Sequence, residues 1–199
     1  MRMLVEYLVL LLFGLAGLMA MGVPQPGAAV PSPPGNPVPL GRLGNNVTPQ
    51  SYVLDLTIQP EQERFSGIAR IAIRIDRPTA RIWLHGRDLD VAKVAYVRDG
   101  VAVPGRYLQE NGQGVSSVGF EQPQSGEGEL VFEYTAPFHE ARALYRLEAD
   151  DEPYVFSQLE ATNARAVFPA FDDPQFKTPF KVSVTSAAGN RVVFNTPLV

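Results

Sequence analysis

From Ser51 onward apolar residues recur at every second position, and that period limits what this chain can fold into. Tyr52, Leu54, Leu56 and Ile58 fall on one face, with Asp55 and Thr57 opposite. Ile71, Ile73 and Ile75 alternate with Arg70, Ala72 and Arg74. Leu130, Phe132 and Tyr134 alternate with Glu129, Val131 and Glu133, and Phe180, Val182 and Val184 with Lys181, Ser183 and Thr185. A strand points successive side chains to opposite faces, so each run offers one apolar face to a core and one polar face to water. That is the pattern of antiparallel sheet packed on one side. Turn chemistry separates the runs at Gln59-Pro60, Asp76-Arg77-Pro78, Asp99-Gly100, Pro104-Gly105, Asn111-Gly112, Ser125-Gly126 and Gly189-Asn190. Many short strands between such turns predict an all-β sandwich or curved sheet assembly, with no helix of any length after the N-terminal segment.

Composition narrows the function classes. The 199 residues are 45% apolar and 19% charged, which fits a globular chain. A net charge of -4 offers no basic face for nucleic acid. Without cysteine there is neither a disulfide framework nor a thiolate metal site. The N-terminus reads as a targeting segment. Arg2 supplies a positive region, Leu8 to Met21 is apolar with small Gly and Ala, and Ala20-Met21-Gly22 offers small residues for cleavage. Residues 1–22 are therefore expected to form a signal helix, cleaved on export or kept as an anchor. The run is short for a membrane span of about 20 residues. Residues 23–41 carry Val23-Pro24-Gln25-Pro26-Gly27 and Pro31-Ser32-Pro33-Pro34-Gly35, an extended Pro/Gly-rich linker. Residues 42–199 form the folded domain, and the apolar run at Val199 reads as a fragment or truncated gene model.

One stretch, Phe156 to Pro174, is more specific than the rest. Gln158-Leu159-Glu160 leads into Ala164-Arg165-Ala166-Val167-Phe168-Pro169-Ala170-Phe171-Asp172-Asp173-Pro174. It resembles the end of the N-terminal domain of the zinc aminopeptidases related to aminopeptidase N and leukotriene hydrolase. There a Gln-x-Glu element precedes an Ala-Arg-x-x-Phe-Pro-Cys-Phe-Asp-Glu-Pro loop. Ala170 stands where Cys is usual and Asp173 where Glu is usual. Further matches follow in the family's order: Asn46-Val47-Thr48-Pro49 with Tyr52 to Leu56; Phe65-Ser66-Gly67; Ile82-Trp83-Leu84-His85 with Asp88-Leu89; Leu144-Tyr145-Arg146; and Asn195-Thr196-Pro197. Together they cover about residues 42 to 199. The resemblance implies a saddle-shaped, mixed-sheet β domain.

The resemblance also implies roles. Glu160 would bind the free α-amine of a peptide substrate, since an ammonium in a partly desolvated pocket needs carboxylate partners. Gln158 would line the first side-chain pocket. Read alone, Glu160 is a solvated or turn-capping carboxylate, and Gln158 a residue bonded to backbone. Arg165, Asp172 and Asp173 read as structural, with Arg165 paired to an Asp or to loop carbonyls. Phe168, Phe171 and Phe176 pack the loop, and Pro169, Pro174 and Pro179 stiffen it. His85 and His139 are far apart in sequence, and neither belongs to a His-Glu-x-x-His helix. Asp150-Asp151-Glu152 reads as a solvated loop, with too few ligands for Ca²⁺.

This chain is therefore expected to hold no catalytic residue and no metal ligand. The resemblance places zinc in a catalytic domain absent from the sequence, where it would polarise the carbonyl and activate water. The expected partners are that domain and the N-terminus of a peptide substrate. The expected location is periplasmic, extracellular or membrane-anchored. The competing reading is a non-catalytic exported β-sandwich used for binding or assembly. A reading frame beyond Val199 encoding Gly-Ala-Met-Glu-Asn and His-Glu-x-x-His separates the two.

Overall fold

The computed structural model describes residues 37–40 and 42–196. The expected signal helix, most of the linker and Pro197 lie outside these residues. Nine strands follow in order: β1 Val47–Thr57, β2 Arg64–His85, β3 Asp90–Arg98, β4 Val101–Pro104, β5 Arg106–Gln109, β6 Val115–Pro137, β7 Ala143–Ala149, β8 Glu152–Gln158 and β9 Phe180–Thr185. The one helical turn among the described residues is a 3₁₀ segment, Ala164–Ala166. The predicted all-β class holds.

One large sheet has the order β4-β3-β6-β2-β1-β9, with β5 also paired to β6. All its pairings are antiparallel except β1 with β9, which makes the sheet mixed. β7 and β8 form a separate antiparallel pair. The period-two faces come out as read. Tyr52, Leu54 and Leu56 lie buried beside Ile71, Ile73 and Ile75, and beside Leu130, Phe132 and Tyr134. At Gly67 the contact tolerates nothing larger, because a Cβ there would sit 2.5 Å from Tyr134 Oη.

Two sequence signals act differently from expectation. Asp76-Arg77-Pro78 and Ser125-Gly126 read as turns between strands, but both lie inside the long strands β2 and β6. The pairing register slips between Ile75 and Thr79 and again between Thr79 and Arg81, at the level of Gly126 and Gln124. Turn chemistry serves a bulge as well as a hairpin, because both need a residue outside the ladder. The two irregularities sit side by side, so the strands bend together. Asp99-Gly100 behaves as read: both residues have positive φ and join β3 to β4 in a tight hairpin. Asn111-Gly112 does form a turn, but the positive φ falls on Gly114.

The inner face of the large sheet is covered by the connection after β8. Phe168, Ala170 and Phe171 belong to the same buried cluster as the sheet residues. The Phe168 ring meets Tyr52 edge-on at 6.2 Å, and Phe171 N–H donates to Tyr52 Oη at 2.9 Å. The β7–β8 pair is tied to the β1–β2 turn through the Arg146 guanidinium, which donates to the carbonyls of Pro60 and Gln62. Phe180 departs from the expected buried face. It is 51% exposed because β9 is the sheet's edge strand, although its ring stacks on Tyr52 at 4.4 Å.

Candidate functional site

The site begins with the β7–β8 hairpin. Its turn, Asp150-Asp151, takes positive φ at both residues and is exposed, which matches the solvated-loop reading. The register sets Tyr145 opposite Phe156 and Leu147 opposite Tyr154. Directly paired residues share a face, so these four side chains stand together. Leu147, Tyr154 and Phe156 are 48%, 47% and 47% exposed. Gln158 closes β8, two residues after Phe156, and so continues the same face. The exposed side chains of Leu147, Tyr154 and Phe156, with the half-buried Tyr145, therefore make an apolar patch that ends at Gln158. Sequence reading missed this patch, although the alternation of Tyr145 with Leu147 and of Tyr154 with Phe156 was there to find.

Glu160 follows just beyond the strand. Its backbone is held while its side chain is free. Asn163 N–H donates to the Leu159 carbonyl at 2.9 Å, and Asn163 Nδ2 donates to the Glu160 carbonyl at 2.8 Å. Arg87 Nη2 in turn donates to Asn163 Oδ1 at 3.2 Å, which fixes the amide. The Glu160–Ala161 peptide is cis. The Glu160 side chain is exposed, and its carboxylate has no hydrogen bond or ion pair among the described residues. A positioned carboxylate with unspent acceptors suits an incoming cation.

The loop behind Glu160 is built on Arg165. Arg165 Nε donates to Asp172 Oδ2 at 2.9 Å, Nη2 to the Asp172 carbonyl at 3.1 Å, and Nη1 to the Gln113 carbonyl at 3.1 Å. This is the structural role expected for Arg165 and Asp172. Asp173 accepts from Gln175 N–H and Nε2 and so caps a local turn. Gly114 completes the socket: its φ is +83°, and a Cβ there would press on Arg87 and on Arg165 Cδ. Ala170 is buried and exchanges two backbone hydrogen bonds with His85, at 2.7 and 2.8 Å.

His85 is thus enclosed at the end of β2, only 2% exposed. Burial, helped by the Arg165 guanidinium, holds its imidazole down to about 4. Asp172 and Asp173 pull in the opposite direction and lose. The unfolded chain takes up a proton near pH 6.5, the ordinary histidine value, while the folded chain refuses it until about pH 4. Stability linked to His85 is therefore complete above pH 6.5 and drains away as pH falls toward 4, by about 3 kcal/mol. Urea denaturation at pH 7 and pH 4.5 is expected to show a larger loss for the parent chain than for His85→Gln. Equal losses in both would assign the acid sensitivity elsewhere. His139 sits apart from His85 in the β6–β7 connection, and burial lowers its pKa as well. Among the described residues, no group of three or more His, Asp or Glu is placed to hold a metal.

A β sheet whose inner face is closed by an Ala-Arg-x-x-Phe-Pro loop, with an exposed Gln-x-Glu element leading into it, defines a recognisable class of domain. Residues 48–199 match the model of the peptidase M1 N-terminal domain, and the chain belongs to that family. It is 28% identical over 163 residues to a probable M1 family aminopeptidase 2 of Encephalitozoon cuniculi, covering 79% of this chain and 18% of that protein. It is 29% identical over 166 residues to aminopeptidase M1-B of Oryza sativa subsp. japonica, covering 79% and 19%. It is 26% identical over 176 residues to the glutamyl aminopeptidase of Mus musculus, covering 78% and 18%. The structure of native yeast LTA4 hydrolase superposes with a TM-score of 0.60 at 26% identity, covering 71% of this chain and 23% of that one. The chain thus spans about a fifth of the length of the relatives it matches.

Proposed function

We propose that this chain is the substrate-amine-binding wall of an exported aminopeptidase, and that the remainder of a longer polypeptide supplies the zinc and the bond-breaking chemistry. The observation that carries this reading is the hairpin face. Leu147, Tyr154 and Phe156 stand exposed beside Gln158, and the Glu160 carboxylate is held from its backbone with its acceptors unspent. An apolar patch rimmed by polar groups marks a surface meant for another body of protein. On this reading the catalytic domain packs against Tyr145, Leu147, Tyr154 and Phe156. Gln158 then lines the pocket for the first side chain, and Glu160 accepts hydrogen bonds from the substrate ammonium. Only an unblocked peptide N-terminus carries that charge, so the reaction is exopeptidic. The exported location rests on Arg2 and the apolar run from Leu8 to Met21.

The test compares the present chain with the full polypeptide encoded by its gene. The full protein is expected to cleave aminoacyl chromogenic substrates and to leave their N-acetylated forms intact, with the activity found in the exported or membrane fraction. The 199-residue chain is expected to cleave neither and to bind no stoichiometric zinc. Equal cleavage of acetylated and free-amine substrates would overturn the reading, as would one tightly bound zinc on the short chain.

A further inference from the structure

Away from the hairpin, a cleft of about 450 Å³ opens between the segment preceding β1 and the bend of β2. Leu43, Asn45, Asn46, Arg77, Arg81 and Trp83 are among its walls. Its polar chemistry is mostly donor. Arg77 Nε donates to Asn46 Oδ1 at 3.3 Å, and the two terminal nitrogens of Arg77 have no partner among the described residues. Arg81 Nη1 is bound to Glu110 Oε1 at 2.8 Å, and Ser117 Oγ donates to the same oxygen at 2.7 Å. The Nε and Nη2 of Arg81 have no partner among the described residues. Glu110 is paired with Arg81, and no ion pair to Arg77 is found among the described residues.

Trp83 adds a second, independent sign. It is 8% exposed, and its Nε1 is buried with no hydrogen-bond partner among the described residues. The Arg81 guanidinium lies 5.4 Å from the centre of its ring. Buried donors without acceptors are costly and rare in folded proteins. Here one lies in the wall of a cleft that also holds the unpartnered guanidinium nitrogens of Arg77 and Arg81. The bend that creates the cleft is the shared irregularity of β2 and β6, which brings Arg77 and Arg81 to one side of it.

We infer that this cleft is a binding site for a small oxyanion, a phosphate or a carboxylate, held between the guanidiniums of Arg77 and Arg81. Guanidinium forks match the paired oxygens of both groups. The site is separate from the proposed amine-binding segment and does not depend on that reading.

Trp83 is the only tryptophan in the chain, so its signals report this site alone. The experiment titrates inorganic phosphate, and separately succinate, into the full chain at constant ionic strength. Trp83 fluorescence and the single indole N–H resonance are followed. At least one of the two anions is expected to give a saturable shift that matched sodium chloride does not give. The anion that does so identifies the ligand class. Arg77→Gln, an exposed change outside the core, is expected to weaken binding about 10-fold or more, the loss of one charged hydrogen bond. Arg142→Gln, on an exposed loop elsewhere, is expected to leave it unchanged. The inference is overturned if neither anion saturates below about 10 mM, a weak limit on the affinity scale. It is equally overturned if chloride reproduces the shift or if Arg77→Gln binds like the parent.

Discussion

Arg165→Ala is expected to lower the stability of the domain by about 3–5 kcal/mol, the usual cost of removing one partner of a buried charge pair. Three acceptors depend on this side chain: the Asp172 carboxylate, the Asp172 carbonyl and the Gln113 carbonyl. Both charged side chains are largely shielded from water, 10% and 16% exposed, so screening softens the loss little. The guanidinium also joins two connections far apart in sequence, the loop after β8 and the turn before β6. A domain of this size loses about 2–4 °C per kcal/mol, so the melting temperature should fall by roughly 10 °C. The double variant Arg165→Met with Asp172→Asn should recover part of the loss, because it leaves no uncompensated charge. Melting followed by circular dichroism decides. A drop of under about 2 °C for Arg165→Ala would mean that the loop is held by its aromatic contacts alone.

Glu160→Ala should give the opposite pattern in the full polypeptide. Its carboxylate bonds to nothing among the described residues, so the fold has little to lose, and the melting temperature is expected to stay within about 1 °C of the parent. If the carboxylate holds the substrate ammonium, kcat/KM for free-amine substrates should fall about 30- to 1000-fold, equal to about 2–4 kcal/mol of lost charged hydrogen bonding. Glu160→Gln keeps the shape and loses the charge, so it should fall between. Normal kinetics with a much lower melting temperature would show that the roles of Glu160 and Arg165 are reversed.

The sheet was legible because alternation writes a strand's face directly into the sequence. Tyr52, Leu54 and Leu56 could face only one way once Asp55 and Thr57 faced the other. Bends were harder. Asp76-Arg77-Pro78 and Ser125-Gly126 carry the residues of a turn, and local chemistry does not distinguish a strand that ends from one that kinks and goes on. The pairing of Arg81 with Glu110, and of β9 with β1, joins segments that share no local signal. In the loop, Arg165 and Asp172 are seven positions apart, and their partnership could be expected. The alternation at Tyr154 and Phe156 was legible as a strand face, but its exposure was not, since an apolar residue on a strand looks the same whether it meets a core or water. The meaning of Glu160 came from its resemblance to a family motif, because the group it is proposed to bind is not part of this chain.

The parallel neighbours β1 and β9 set a condition on how the molecule is made. Tyr52 lies opposite Phe180, so this edge cannot zip until the chain through Phe180 has left the ribosome. Pairings between distant segments form slowly, since the intervening chain must be ordered before the contact is gained. Until β9 arrives, β1 shows an open edge with free backbone donors and acceptors, a template for wrong partners. A stalled ribosome or a premature stop ahead of Phe180 would therefore release more than a shortened domain. It would release one with its first strand left open to aggregation.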